Sequence, residues 1–175
     1  MAIRHRSRHL RATLFHKVID DLTTLGWVTA PVNFGADPVT VLDYQPDERQ
    51  QAVVKNTVAV SLGDVVNDVD EELGASGGGL RSAFIPVFID VYMAEQALAD
   101  AICDDLRDIF DNQIFPLIDQ VTGAPSVDPL TALPNAQIEI EEVLGPDRPA
   151  GAAAADQFKR YWRIIKLGVR LYYPG

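Results

Sequence analysis

Three aspartates, Asp100, Asp104 and Asp108, recur at every fourth position within QALADAICDDLRDIF. That spacing places them on one face of a helix. Stacked carboxylates attract hard cations, but calcium sites use about six to eight oxygens, many of them loop carbonyls, and no such loop accompanies these three. Like charges at this spacing repel by roughly a few tenths of a kcal/mol per pair. The pattern therefore reads as an outward acidic face suited to a basic neighbour. His5 and His9 stand four residues apart, with His16 on or near the same face of an earlier helix. Such a pair chelates a metal when a third ligand approaches, yet the neighbouring arginines repel a divalent cation, which favours a solvated basic segment. Cys103, the one cysteine, lies among apolar residues and acids, the wrong surroundings for a reactive thiolate. It reads as core.

The glycine cluster GASGGG at 74–79 lacks the Lys and Ser/Thr that a phosphate loop places at a helix start; Leu80 and Arg81 follow instead. A flexible hairpin or interface loop is expected. No G-x-S-x-G, HExxH or paired-cysteine pattern occurs. The sequence thus predicts no catalytic residue, no metal ligand and no cofactor.

Basic residues suggest contacts. In FKRYWRIIKLGVRLYY, Arg160, Arg163, Lys166 and Arg170 mix with Tyr161, Trp162, Tyr172 and Tyr173 on both faces of a strand. A strand neither wholly apolar nor cleanly half-polar divides its faces between its own core and another chain. These four bases, with Asp100, Asp104 and Asp108, are the expected subunit interface. Arg4, Arg6, Arg8 and Arg11 can contact phosphates in a salt-sensitive way, or a protein partner; the alternative is a disordered basic arm. No aromatic interleaving or nucleic-acid module accompanies them.

The net charge of −10 hides a polarised distribution. All 25 acids lie between residues 18 and 158 with only five bases, so the middle carries −20 and the two ends +10. Such a subunit can attract its own kind, or separate a DNA-tolerant surface from a DNA-repelling one. With 175 residues and 47% hydrophobic content, one sizeable core and one domain are expected, preceded by a basic arm at 1–8 and interrupted by an acidic, glycine-rich loop at 64–79. A single cysteine excludes an internal disulfide. No apolar run approaches the roughly 18 to 20 residues needed to span a bilayer, and Arg11, His16 and Lys17 interrupt any signal-like core. A soluble protein without membrane contact is expected.

The elements follow from periodicity. Leu10, Leu14, Val18, Leu22 and Leu25 mark a helix from Ser7, ended by Gly26. Extended pieces follow at 27–34 and 39–44, then a Val-rich strand at 52–64. Residues 80–92 form a long strand in which Pro86 implies an edge or a bulge. An acid-faced helix continues from Ala94 to about Leu117. QIEIEEVLG alternates as a half-solvated strand with Ile138 and Ile140 facing one way, and a final strand runs from Phe158 to Tyr173. The fold class is α+β, a mostly antiparallel sheet packed against two main helices.

This order of elements, the join FIPVFIDVYM to AEQALADAICDDLRDIF, and the terminal WRIIKLGVRLYY resemble the tail terminator proteins of long-tailed, siphophage-type bacteriophages. The resemblance spans most of the chain and rests on no short invariant motif. It implies a structural virion protein at the tail–neck junction, found in the host cytoplasm during assembly. Such a protein forms a hexameric ring that caps the tail tube, stops its polymerisation and joins it to the neck or head-closure protein. DNA would pass through the lumen without sequence-specific binding. Another neck component, a head-closure or head–tail adaptor protein, is the alternative; a small DNA-binding protein follows it. If charge matching between copies drives assembly, reversing Arg163 and Lys166 should weaken assembly, and unchanged ring formation in native mass spectrometry would count against it.

Overall fold

A computed structural model of the chain describes residues 6–28, 39–44, 56–64, 80–118, 137–148 and 161–174. Helix α1 (Arg6–Thr24) precedes strands β1 (Thr40–Leu42), β2 (Thr57–Leu62) and β3 (Leu80–Met93). Helix α2 (Gln96–Phe110), β4 (Ile114–Pro116), β5 (Gln137–Asp147) and β6 (Tyr161–Pro174) follow. The six strands form one sheet ordered β1-β2-β3-β6-β5-β4, antiparallel except where β1 runs parallel to β2. The α+β class expected from the sequence is thus the observed one.

Both helices pack against one face of this sheet. On α1, Leu10, Leu14, Val18 and Leu22 stack at four-residue intervals and are fully buried. On α2 the buried stripe is Ala99, Ile102, Cys103, Leu106 and Phe110. They meet the inward positions of β3 (Ala83, Ile85, Val87, Ile89, Val91) and of β6 (Ile165, Leu167, Val169, Leu171) in one continuous cluster. Strand periodicity of two puts every second residue into this core. Ile138 and Ile140 join it from β5, while Glu141 points to solvent.

Turn chemistry sets the element ends. Gly26 adopts φ +83, and Gly26 and Trp27 donate backbone hydrogen bonds to Thr23 and Leu22 at 3.1 and 2.8 Å. That paired closure is the left-handed cap that ends many helices. It turns Trp27 back onto the core, so Trp27 occupies a turn rather than a strand start, and it leaves Leu25 51% exposed instead of on the buried stripe. The second helix stops at Phe110, well before Leu117, because Asn112 takes φ +49 and Pro116 lacks a helix donor. Residues 114–116 form β4 instead, and Thr13 anchors the chain just beyond: its Oγ1 donates to His9 O at 2.7 Å and accepts from Ile118 N at 2.9 Å. The expected extended segment at 29–34 and most of the loop at 64–79 lie outside the described residues.

Pro86 is accommodated without a bulge toward β6, where the register runs unbroken through all fourteen residues. Its carbonyl accepts from Gly63 N at 2.7 Å, so its N–H-less nitrogen faces the end of β2, where pairing stops. Between β5 and β6 the register does shift, after Ile140 and after Leu144. Gly145 makes the second shift possible, since its φ is +100 and a Cβ there would lie 2.6 Å from Ile164 O. Bulges on a partly open strand discourage edge-to-edge pairing. Ile89 lies at the middle of the β3 core face and is fully buried. Ile89→Ala should destabilise the fold by about 2–5 kcal/mol, measurable as a lowered denaturation midpoint with unchanged slope.

Candidate interaction surface

The opposite face of the sheet carries the outward residues of β3, β6 and β5, and among the described residues no helix packs on it. Register places Phe84 opposite Arg170, Pro86 opposite Gly168, Phe88 opposite Lys166, Asp90 opposite Ile164 and Tyr92 opposite Trp162. The Phe84 ring lies over Gly168: a Cβ there would sit 3.2 Å from two Phe84 ring carbons and from Glu142 Cβ. Phe84, Phe88 and Ile164 remain half-buried, forming an apolar band across the two central strands.

Charged groups flank this band. Arg170 makes a two-pronged contact with Glu141, in which Nη2 lies 3.3 Å from Oε2 and Nε donates to Oε1, and its Nη1 reaches Ser82 Oγ at 3.5 Å. Lys166 Nζ lies 3.2 Å from Asp147, both side chains about half exposed. Tyr172, opposite Gln137, has its hydroxyl pKa raised, first by burial and then by its hydrogen bond with Glu139 and that carboxylate's charge.

At the other end the surface closes over a buried acid. Asp90 is 2% exposed and accepts a hydrogen bond from Trp162 Nε1 at 2.8 Å, while the Trp162 ring stacks on Tyr92 with centroids 5.4 Å apart. Burial raises the Asp90 pKa above its ordinary 3.8, and the Trp162 hydrogen bond offsets part of that rise. Thr57, opposite Tyr92 on β2, has its hydroxyl buried without a hydrogen-bond partner. Asp90 is a functional candidate that the sequence marks only weakly, as an acid inside the apolar run FIPVFIDVYM, and Trp162 is marked only as one of the aromatics of the last strand.

The residues expected at subunit contacts do not all share this face. Arg163 points to the helix side: its Nε lies 3.8 Å from Asp100 Oδ1, its Nη1 donates to Trp162 O at 2.9 Å, and its side chain is only 13% exposed. Strand base and helix acid therefore meet within one chain. Asp104 and Asp108 lie exposed on α2. Cys103 is buried beneath them and its thiol is pushed up to about 12, chiefly by burial, so it is no nucleophile at neutral pH. Arg8 and Arg11 are exposed on α1, with Arg11 4.0 Å from Asp43; Arg6 opens the helix, and Arg4 and Arg160 lie outside the described residues. His16 is exposed and His9 half-buried on α1, whereas His5 is outside the described residues. Among the described residues no group of three or more His, Cys, Asp or Glu side chains is placed to hold a metal, and no helix is long and apolar enough to cross a membrane.

Comparison with protein-family models finds none that matches this chain, and comparison with curated proteins finds no match.

Asp90 yields a pH-dependent prediction. A carboxyl whose folded pKa is raised stabilises the fold fully below its unfolded pKa, and that contribution is lost as pH rises through the folded value. Relative to wild type, Asp90→Asn, whose amide oxygen can still accept from Trp162, should gain stability as pH rises above about 3.8. Denaturant titrations of the two proteins across that range should diverge; parallel curves would deny Asp90 this role.

Proposed function

We propose that the protein is a structural virion protein, a tail terminator whose six copies form a ring that caps the tail tube, stops its polymerisation and joins it to the neck. One observation carries this reading: the face of the sheet opposite the helices presents a half-buried apolar band, Phe84, Phe88 and Ile164, between ion pairs. An apolar centre with a polar rim is the anatomy of a protein interface. Surface ion pairs contribute roughly 0–1 kcal/mol each, so the half-exposed Lys166 can exchange Asp147 for an acid of another subunit at little cost. The polarised charge, −20 in the middle and +10 at the ends, supports contacts between identical copies that meet base to acid.

Capping then works by surface complementarity and involves no covalent chemistry. A terminator must bind the end of a growing tube more tightly than the next tube subunit does, and must present nothing on which another tube ring can grow. Acids of the central sequence suit a lumen through which DNA passes without adhering.

Arg163 is engaged by Asp100, and Arg170 by Glu141 and Ser82, inside the chain, so reversing either would damage the subunit as well as any contact. Lys166, whose side chain is about half exposed, is the informative base. Lys166→Glu should shift the purified protein from a six-copy annulus toward monomers in native mass spectrometry and negative-stain images. It should also stop the protein from limiting the length of tubes grown from the tube protein of the same particle. A wild-type protein that forms no ring, alone or on tube ends, would overturn the reading.

A further inference from the structure

On the side of the molecule away from that sheet face, a cleft of about 400 Å³ opens between α1 and α2, lined by Lys17, Asp21, Leu25, Asp105, Asp108 and Ile109 among others. A second hollow of about 250 Å³ adjoins it, sharing Lys17 and Asp21 and adding Asp20, Phe115 and Ile118. The two make one groove with an apolar wall and an acidic rim. Its single base among the described residues is already engaged: Lys17 Nζ lies 2.8 Å from Asp21 and within 5.9 and 5.3 Å of the Phe110 and Phe115 ring centroids. Trp27 Nε1 donates to Asp105 at 2.6 Å, which fixes one wall. Asp20 and Asp108 are exposed and face outward along the groove.

We propose that this groove receives the arginine-bearing segment around Arg4, Arg6 and Arg8 of a second copy of the chain. Complementarity is the first argument: residues 1–8 contain three arginines and no acid, whereas the groove contributes four acids and one neutralised lysine. Arginine stems also cover apolar surface while their guanidinium groups reach carboxylates, which matches a wall of Leu25, Ile109 and Phe115 beneath an acidic rim. The second argument is reach. Arg6 opens α1 and Asp21 lies fifteen residues on, about 22 Å along the helix axis at roughly 1.5 Å per residue. Arg4 is two residues before that start, at most about 7 Å away when extended. Even with its own side chain added, it falls short of the far end of its own groove. The arginines of one chain therefore match the acids of another.

This contact rests on the self-association in the proposed function but not on the tail role, and it uses the helix side of the molecule. It is tested by charge exchange in the full-length protein. Arg4→Glu, Arg6→Glu and Arg8→Glu together should raise the self-association constant's midpoint concentration about tenfold or more, as should Asp20→Lys with Asp108→Lys. Combining the two sets should restore it. Arg4→Cys in one chain mixed with Asp108→Cys in another should give a disulfide-linked dimer under mild oxidation, since Cys103 is buried. Oligomers that persist unchanged with the arm reversed, or no linked dimer among them, would overturn the arm contact and leave the ring reading standing. A chain that is monomeric in every form and on tube ends would overturn both.

Discussion

Pairing of β3 with β6 over fourteen consecutive residues fixes, rung by rung, which side chains lie beneath the helices and which lie on the opposite face. Because side chains alternate along a strand, a slip of one residue would exchange the two sets completely. It would place Val87, Ile89, Leu167 and Val169 in solvent and bury Lys166 and Arg170 unpaired. The register is therefore held by the full weight of the core. Pro86 does not break it because its missing donor is directed at the end of β2, where nothing more is to be paired.

From this ladder the rest takes its place. Among the described residues the two helices cover one face only, and the outward residues near the centre are Phe84, Phe88, Lys166 and Arg170. Charges are distributed by the same rule. Arg163, at an inward position, finds Asp100 on α2, whereas Lys166 and Arg170, at outward positions, find Asp147 and Glu141 on β5. Arg163, Lys166 and Arg170 are thus each paired within the chain, on both sides of the sheet.

Much of this was legible in the residues. The four-residue spacing of Leu10, Leu14, Val18 and Leu22 is enough for α1, and the alternation of Ile138 and Ile140 with acids is enough for the start of β5. The sequence carries α2 on to Leu117 because Ile114, Phe115 and Leu117 continue an apolar pattern that helix and strand share; the left-handed Asn112 decides between them. Trp27 read as strand because aromatic residues favour sheets, yet the glycine cap before it turns the chain. The candidate surface was harder. Types and spacing marked Arg163, Lys166 and Arg170 as a group, but only the register separates Arg163 from the other two. The groove between α1 and α2 joins residues from distant parts of the chain, which no local pattern announces.

The two tryptophans each donate their indole N–H to a carboxylate, Trp27 to Asp105 beside the helix groove and Trp162 to Asp90 on the far face of the sheet. The molecule thereby carries a built-in fluorophore on each of its two sides, each hydrogen-bonded to a different aspartate. Single-tryptophan proteins would let emission spectra distinguish which side becomes covered by any bound molecule, without any added label.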